Sequence, residues 1–257
     1  MHAYLDHAGV LAFAHRGDHE SGPENTLPAF AGAVALGFNY LETDAHCTAD
    51  GVLLAFHDER LDRVTDRVGI IAQMPFAQVS QARVANGIWA IMPTQEPIPL
   101  MEDLLNAFPD TRFNIDLKAD NTVAPFIKLL KRNKCLDRIC VGSFNDRRVA
   151  AIRREFPKIC TSMGPKEVVK ARLASYHMPY ARLSSPCAQV PVRWDRMPVA
   201  DKRFIRAMQA RGIQTHVWTI NDSMVMHQLL DLGVEGIMTD FPARLKAVLL
   251  ERNSWVH

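Results

Sequence analysis

Short apolar runs alternate along the chain with longer stretches whose apolar residues recur at helical spacing. The segment GVLAFA (residues 9–14) is bounded by glycines and rich in branched and aromatic residues, which predicts a buried strand ending at His15-Arg16-Gly17. Thr26 to Ala35 places Leu27, Phe30, Ala31 and Val34 on one helical face; Asn25 stands where a cap belongs, and Pro28 falls in the first turn, where no amide donor is missed. YLETDAHC (40–47) reads as a strand, and Asp50-Gly51 predicts a hairpin turn into VLLAF (52–56). Further strands are expected in RFNIDLK, RICVGSF, KICTSM, CAQVPV, IQTHVWTI and GIMTD, separated by helix-length stretches such as TVAPFIKLLKR, DRRVAAIRREF and SMVMHQLLDLG. About eight strand-then-helix units in 257 residues predict one α/β domain spanning residues 1–257. That arithmetic is a (β/α)8 TIM barrel, whose chemistry gathers at the C-terminal ends of its strands. Residues 59–100 break the rhythm with Pro75, Pro93, Pro97 and Pro99 and no barrel unit, so they are expected to be an insertion or cap over one rim, lined or anchored by Trp89.

Within YLETDAHC the period of two puts Glu42, Asp44 and His46 on one face, and Leu41, Thr43 and Ala45 on the other. Alternate strand residues lie roughly 6.5–7 Å apart, so Glu42 and Asp44 can both reach one hard cation. On a wet strand this alternation would mark only the solvent side. In a parallel barrel both faces are buried and an unpaired carboxylate is costly, a cost that a cation removes. RFNIDLK repeats the pattern with Asn114, Asp116 and Lys118. Three acids, the strand-end histidines His15 and His57, Arg16 and Lys118 together suggest a divalent cation and a phosphate. The all-oxygen donor set favours Mg²⁺ or Ca²⁺ over zinc.

Composition removes other classes. A net charge of +2, from 30 basic and 28 acidic residues, gives no field for sequence-independent nucleic-acid binding. Any anion must be met locally, as a small-molecule substrate. The five cysteines are scattered without a C-x-x-C pair and are expected to be reduced and buried. The N-terminal segment lacks a basic residue ahead of its apolar stretch, and no run approaches the roughly 18 apolar residues of a membrane helix. A cytoplasmic protein is expected.

The ordered set His15-Arg16-Gly17, Pro23-Glu24-Asn25-Thr26, Glu42-x-Asp44 and His57-Asp58, followed by NIDLK, VWT and GIMTD, resembles the glycerophosphodiester phosphodiesterase family from about Val10 to Pro242. The resemblance implies a (β/α)8 barrel with a small insertion after the second strand. It also implies a divalent cation, and hydrolysis of glycerophosphodiesters to glycerol 3-phosphate and an alcohol. By position Glu42, Asp44 and Asp116 match the metal ligands, His15 and His57 the acid/base pair, Arg16 and Lys118 the phosphate contacts, and Trp218 a pocket aromatic. Many members carry Glu where Asp116 stands, and the shorter arm bears on which metal is held. For the family, attack by the glycerol 2-hydroxyl through a cyclic phosphate is a recognised route.

The chemistry suits these residue types. A phosphodiester anion repels nucleophiles, so positive charge must neutralise its oxygens, while one imidazole accepts the nucleophile's proton and the other protonates the departing alkoxide. Position points to His15 as base and His57 as acid. Asn25 and Glu24 are expected either to touch substrate or metal or to serve the helix N-terminus. His46 lies farther along the acids' face, His216 is expected as a hydrogen-bonded core histidine, and His2, His7 and His257 as solvated. Two other readings remain: a lysophospholipase D-like or other phospholipid-directed phosphodiesterase, which would need an exposed apolar or basic rim, and a non-catalytic barrel that binds a glycerophosphate.

Overall fold

The computed structural model describes residues 2–85, 95–178 and 183–256; Trp89 and His257 lie outside them. Eight parallel strands form the barrel: β1 (Leu11–His15), β2 (Tyr40–Cys47), β3 (Arg112–Leu117), β4 (Ile139–Gly142), β5 (Cys160–Thr161), β6 (Cys187–Pro191), β7 (Gln214–Trp218) and β8 (Gly236–Thr239). Hydrogen-bonded neighbours run β5-β4-β3-β2-β1-β8-β7-β6. A parallel bridge between Ser162 and Cys187 closes the ring, with the Met163 amide donating to the Cys187 carbonyl at 3.1 Å. The expected (β/α)8 barrel is therefore present.

Helices α1 (Leu27–Ala35), α2 (Met101–Ala107), α3 (Val123–Arg132), α4 (Asp146–Glu155), α5 (Pro165–Ala174), α6 (Lys202–Gln209), α7 (Ser223–Leu232) and α8 (Pro242–Glu251) clad the ring. Asn145, Asp201 and Asp222 cap α4, α6 and α7 by accepting backbone N–H bonds. The strand alternation sets which side chains face which layer. On β3, Phe113, Ile115 and Leu117 pack outward with Phe30, Leu105 and Phe126 of the helices, which leaves Asn114 and Asp116 on the inner face. On β2, Leu41 and Ala45 do the same, and Glu42 and Asp44 turn in.

The Asp50-Gly51 turn forms as expected: the strand Leu53–Ala55 returns antiparallel to β2. Beyond it, residues 59–85 and 95–100 build a satellite around Phe56, Leu61, Ile71, Val79, Val84 and Ile98, with a short helix at Phe76–Val79 and paired strands at Arg83–Ala85 and Gln95–Pro97. At the opposite end of the barrel, residues Ala3–Leu5 form a 3-10 turn rather than part of the first strand, and buried Tyr4 packs edge-on against Tyr40, whose hydroxyl donates to the Tyr4 carbonyl at 2.8 Å. His7, expected in solvent, is half-buried beside the same Tyr40 ring.

Candidate active site

Register brings the site together. His15 on β1 pairs with Glu42 on β2, and Asp44 on β2 pairs with Asp116 on β3, so four predicted side chains converge at the C-terminal mouth from three adjacent strands. Directly after β1 the chain turns through left-handed backbone, at Arg16 (φ 58°) and Gly17 (φ 91°). A Cβ on Gly17 would stand 2.7 Å from the Ala29 backbone, so only glycine fits there. That turn lets the Asn25 amide donate to the Arg16 carbonyl at 2.9 Å, which folds residues 23–26 back over the strand ends.

Asn25 does not cap α1. It has φ 58° where an N-cap needs extended backbone, the cap residue is Thr26, and the Asn25 side chain instead donates to Asp44 Oδ2 (3.3 Å) and accepts from Thr43 Oγ1 (2.7 Å). Glu24 accepts from Arg16 Nη1 at 3.0 Å and from both terminal nitrogens of Arg63 at 2.8 and 2.7 Å.

The buried carboxylates are held by opposite charge. Lys118 Nζ lies 2.8 Å from Asp44 Oδ1 and 2.7 Å from Asp116 Oδ2, and Arg16 Nε is 3.2 Å from Asp44 Oδ2. Burial opposes ionisation of Asp44, but Lys118 and Arg16 outweigh it and keep its carboxyl well below the ordinary range. For Glu42 burial, then the nearby Asp44, outweigh the pull of His15, Arg16 and Lys118 and push it up to about 7. Burial likewise raises Asp116 against the pull of Lys118. Glu42 Oε2 and Asp116 Oδ1 are buried without a hydrogen-bond partner among the described residues. Orphaned charged oxygens are expensive, and a hard divalent cation would satisfy both, so the donor set fits such an ion.

Each histidine is backed by a carboxylate. His15 Nδ1 is 2.6 Å from Asp240 Oδ1, just past β8, which leaves Nε2 facing the cavity, 3.7 Å from Glu42 Oε2. Although burial opposes it, the bond from His15 holds Asp240 down at about 2. His57 Nδ1 is 2.5 Å from Asp58 Oδ1, and Arg63 Nε clamps the other Asp58 oxygen at 2.5 Å. Burial works against a charged His15, yet Glu42 and Asp240 raise its pKa; burial, with Arg16 and Lys118, lowers that of His57. In the cation-free protein these charges run opposite to the acid and base roles drawn from position.

His15, Arg16, Glu42, Asp44, His57, Asp116, Lys118 and Trp218 all line one cavity of about 540 Å³. Trp218 stands edge-to-face with Phe144, whose ring also lies 5.6 Å from Lys118 Nζ. His46 lies outside that lining: its Nε2 contacts the His57 carbonyl at 3.1 Å and so supports that loop. His216 is a core residue as expected, set between Gln189 (3.4 Å) and Gln214 (3.1 Å). Asp240 and Arg63 were missed by sequence reasoning. The GIMTD run was a signal for Asp240, a carboxylate at a strand's C-terminal end; Arg63 sits in aperiodic sequence that carries no such signal.

Comparison with known proteins identifies the family. The glycerophosphoryl diester phosphodiesterase family model matches residues 15–244. A Mycobacterium tuberculosis protein named "Probable glycerophosphodiester phosphodiesterase 2" is 36% identical over 98% of this chain and 95% of its own length. A glycerophosphodiester phosphodiesterase from Caldanaerobacter subterraneus is 26% identical over 92% of this chain and 96% of its own. Among solved structures, an Oleispira antarctica phosphodiesterase in complex with the product sn-glycerol-3-phosphate superposes with a TM-score of 0.77 at 22% identity, covering 94% of this chain and 97% of that one, a likeness of fold. From its motifs, its barrel and these matches, the chain belongs to the glycerophosphoryl diester phosphodiesterase family and is a phosphodiester-hydrolysing enzyme.

Proposed function

We propose that the protein hydrolyses glycerophosphodiesters to glycerol 3-phosphate and an alcohol, with a divalent cation and two histidines. The observation that carries this reading is the meeting, in one cavity, of two carboxylate-backed imidazoles with three acids, two of which carry orphaned oxygens. Glu42, Asp44 and Asp116 would hold the cation, which when bound supplies a Lewis acid for the phosphoryl oxygens.

Arg16 and Lys118 bring fixed positive charge to the same oxygens, and Glu24, Asp44 and Asp116 hold those two cations in place before substrate arrives. One imidazole takes the proton of the attacking hydroxyl and the other returns a proton to the departing alkoxide. Asp240 and Asp58 fix each ring at Nδ1, so that Nε2 is the reacting nitrogen. Trp218 and Phe144 offer an apolar wall for the carbon skeleton of the glycerol. The related Oleispira antarctica enzyme holds sn-glycerol-3-phosphate as its product, the product expected here. A panel of glycerophosphodiesters, assayed by release of glycerol 3-phosphate with and without Mg²⁺ or Ca²⁺, tests the reading. Binding without turnover across the panel would sink it in favour of a non-catalytic barrel.

A further inference from the structure

Away from the catalytic mouth, three thiols meet. Cys140 on β4, Cys160 on β5 and Cys187 on β6 turn into the ring, one layer beneath Gly142, Ser162 and Gln189, which line the catalytic cavity. All three are free and at most 2% exposed. Their sulfurs lie within 4.8 Å of one another, and those of Cys140 and Cys187 are 3.9 Å apart. A disulfide would use two of these sulfurs and leave the third alone, whereas one soft ion satisfies all three.

The spacing is that of a coordination triangle. With metal–thiolate bonds of about 2.3 Å, three sulfurs stand about 4.0 Å apart around a three-coordinate ion and about 3.8 Å apart around a tetrahedral one. Side-chain rotations that move each sulfur by no more than about 0.5 Å therefore close the triangle. No fourth His, Cys, Asp or Glu among the described residues joins the group, and both ring nitrogens of His216 are taken up by Gln189 (3.4 Å) and Gln214 (3.1 Å). A dry set of three sulfurs suits a soft d¹⁰ ion that accepts three ligands, as Cu⁺ does. Zinc asks for a fourth donor, and Mg²⁺ and Ca²⁺ ask for oxygen.

A second observation points to the same layer. The Tyr4 hydroxyl is buried without a hydrogen-bond partner among the described residues. It belongs to the cluster that holds the three sulfurs, close enough that charge on them acts on it. A buried phenol with nothing to donate to is costly, and a metal-bound thiolate is an acceptor that removes the cost.

Position gives the site a task. Strand β5 is only two residues long, and the ring closes between β5 and β6 through the isolated Ser162–Cys187 bridge. Cys160 and Cys187 stand on either side of that seam, and Cys140 backs them from the next strand.

We propose that Cys140, Cys160 and Cys187 form a binding site for one soft, thiophilic cation, best matched by Cu⁺, with Tyr4 donating a hydrogen bond to a bound thiolate, and that its occupancy clasps the β5–β6 seam. Each copper–sulfur bond replaces an S–H whose proton passes to solvent, and no electron is transferred. Entry is from the N-terminal side, where the Ala3–Leu5 turn packs onto the sulfur layer. That turn is held by hydrogen bonds from Tyr40 Oη to the Tyr4 carbonyl (2.8 Å) and from Gln214 Nε2 to the Leu5 carbonyl (3.3 Å), and local opening of so short a segment admits an ion. The site is separate from the oxygen donors at the other end of the barrel and stands or falls independently of the phosphodiesterase reading.

The test uses the full chain, reduced and anaerobic, titrated with Cu⁺ in competition with a chromogenic Cu⁺ chelator. The folded protein should withhold one Cu⁺ per chain and show a thiolate-to-copper charge-transfer band. X-ray absorption should find three sulfur neighbours at about 2.3 Å. Cys140→Ala, Cys160→Ala and Cys187→Ala should each weaken binding by at least about 100-fold, and Tyr4→Phe, which keeps the ring in its packing, by about 10–100-fold. Cys47→Ala and Cys135→Ala, which lie outside the cluster, should each change it by less than about twofold. In the loaded protein the Met163 amide, which donates across the seam to the Cys187 carbonyl, should exchange with solvent at least about tenfold more slowly. No Cu⁺ withheld by the wild type, oxygen or nitrogen neighbours in place of sulfur, affinity unchanged in Tyr4→Phe, or unaltered exchange at Met163 each overturns the proposal. None of these four depends on the alanine variants of the cluster folding.

Discussion

The two ends of the barrel are built from the same eight strands with the same alternation, yet they hold opposite kinds of interior. At the N-terminal end the ring encloses Leu11, Phe13, Tyr40 and Met238 with the thiols of Cys140, Cys160 and Cys187, and Tyr4 packs into the same cluster. That filling is largely apolar, and its Cys140 and Cys187 sulfurs are 3.9 Å apart. At the C-terminal end sit three carboxylates, two of them with an orphaned oxygen, and two buried cations. One end maximises packing, while the other retains unmet charge for a ligand to satisfy. The contrast separates what holds the barrel closed from what makes it reactive, and it implies that substitutions at the two ends fail in different assays.

The sharpest break between the ends comes from chelation. Exhaustive treatment with EDTA should abolish turnover, and Mg²⁺ or Ca²⁺ should restore it better than Zn²⁺, while near-ultraviolet circular dichroism of the core aromatics stays unchanged. Full turnover in demetallated protein would remove the cation from the mechanism. Next in size, His15→Ala and His57→Ala should each lower kcat/KM on natural diesters by about 10²–10⁴-fold with little change in melting temperature. On a p-nitrophenyl ester of glycerol 3-phosphate, which leaves without a proton, the acid's variant should recover most of its loss and the base's variant none. Equal losses on both substrates for both variants would end the two-histidine mechanism.

At the other end the effect should be on stability. A methyl on Gly236 would stand 2.8 Å from His216 Cδ2 and 2.9 Å from Phe13 Cε2, so Gly236→Ala overpacks the core and should cost about 1–3 kcal/mol in urea denaturation with kcat/KM nearly intact. A comparable loss of kcat/KM would show that the ends are coupled after all.

The smallest effect is a slope with pH. In the native, metal-free chain Glu42 is pushed up to about 7 from an ordinary value of 4.5, so between those limits the folded state binds more protons than the unfolded one. The melting temperature of metal-free protein should therefore fall as pH rises through that window, and His15, also raised, acts in the same sense. Thermal scans of Glu42→Gln should show a shallower slope, and saturating cation should remove it. A slope that steepens with rising stability would refute the assignment.

Much of this division was legible in the chain. Period-two runs such as RFNIDLK have one solution in a closed parallel ring, which is why Asp116 and Lys118 could be placed without coordinates, and the order of the motifs carried the family. Contacts made by closure were not legible. Cys140, Cys160 and Cys187 bring their sulfurs within 4.8 Å of one another, although spacing along the chain suggested unrelated thiols. Asp240 reaches His15 across 225 positions because the last strand pairs with the first. Asn25 looked like a cap because caps are read from residue type, whereas its left-handed backbone excludes that role and frees its amide for Asp44. The apolar part of the cavity lining was equally hidden, since Phe144, Val169 and Trp194 come from three separate segments.

Arg63 gives the insertion a meaning beyond cover. One guanidinium joins Asp58, which sets the His57 ring, to Glu24, which sets Arg16, and it does so from the first turn of a segment whose own core lies elsewhere. The residues from His57 to Arg63 thus work as a keystone, and the remainder of the insertion as replaceable masonry. In grafting terms, the satellite downstream of Arg63 is the portion of this enzyme that should be exchangeable for another module without redrawing the reaction centre, provided that the keystone is carried over whole.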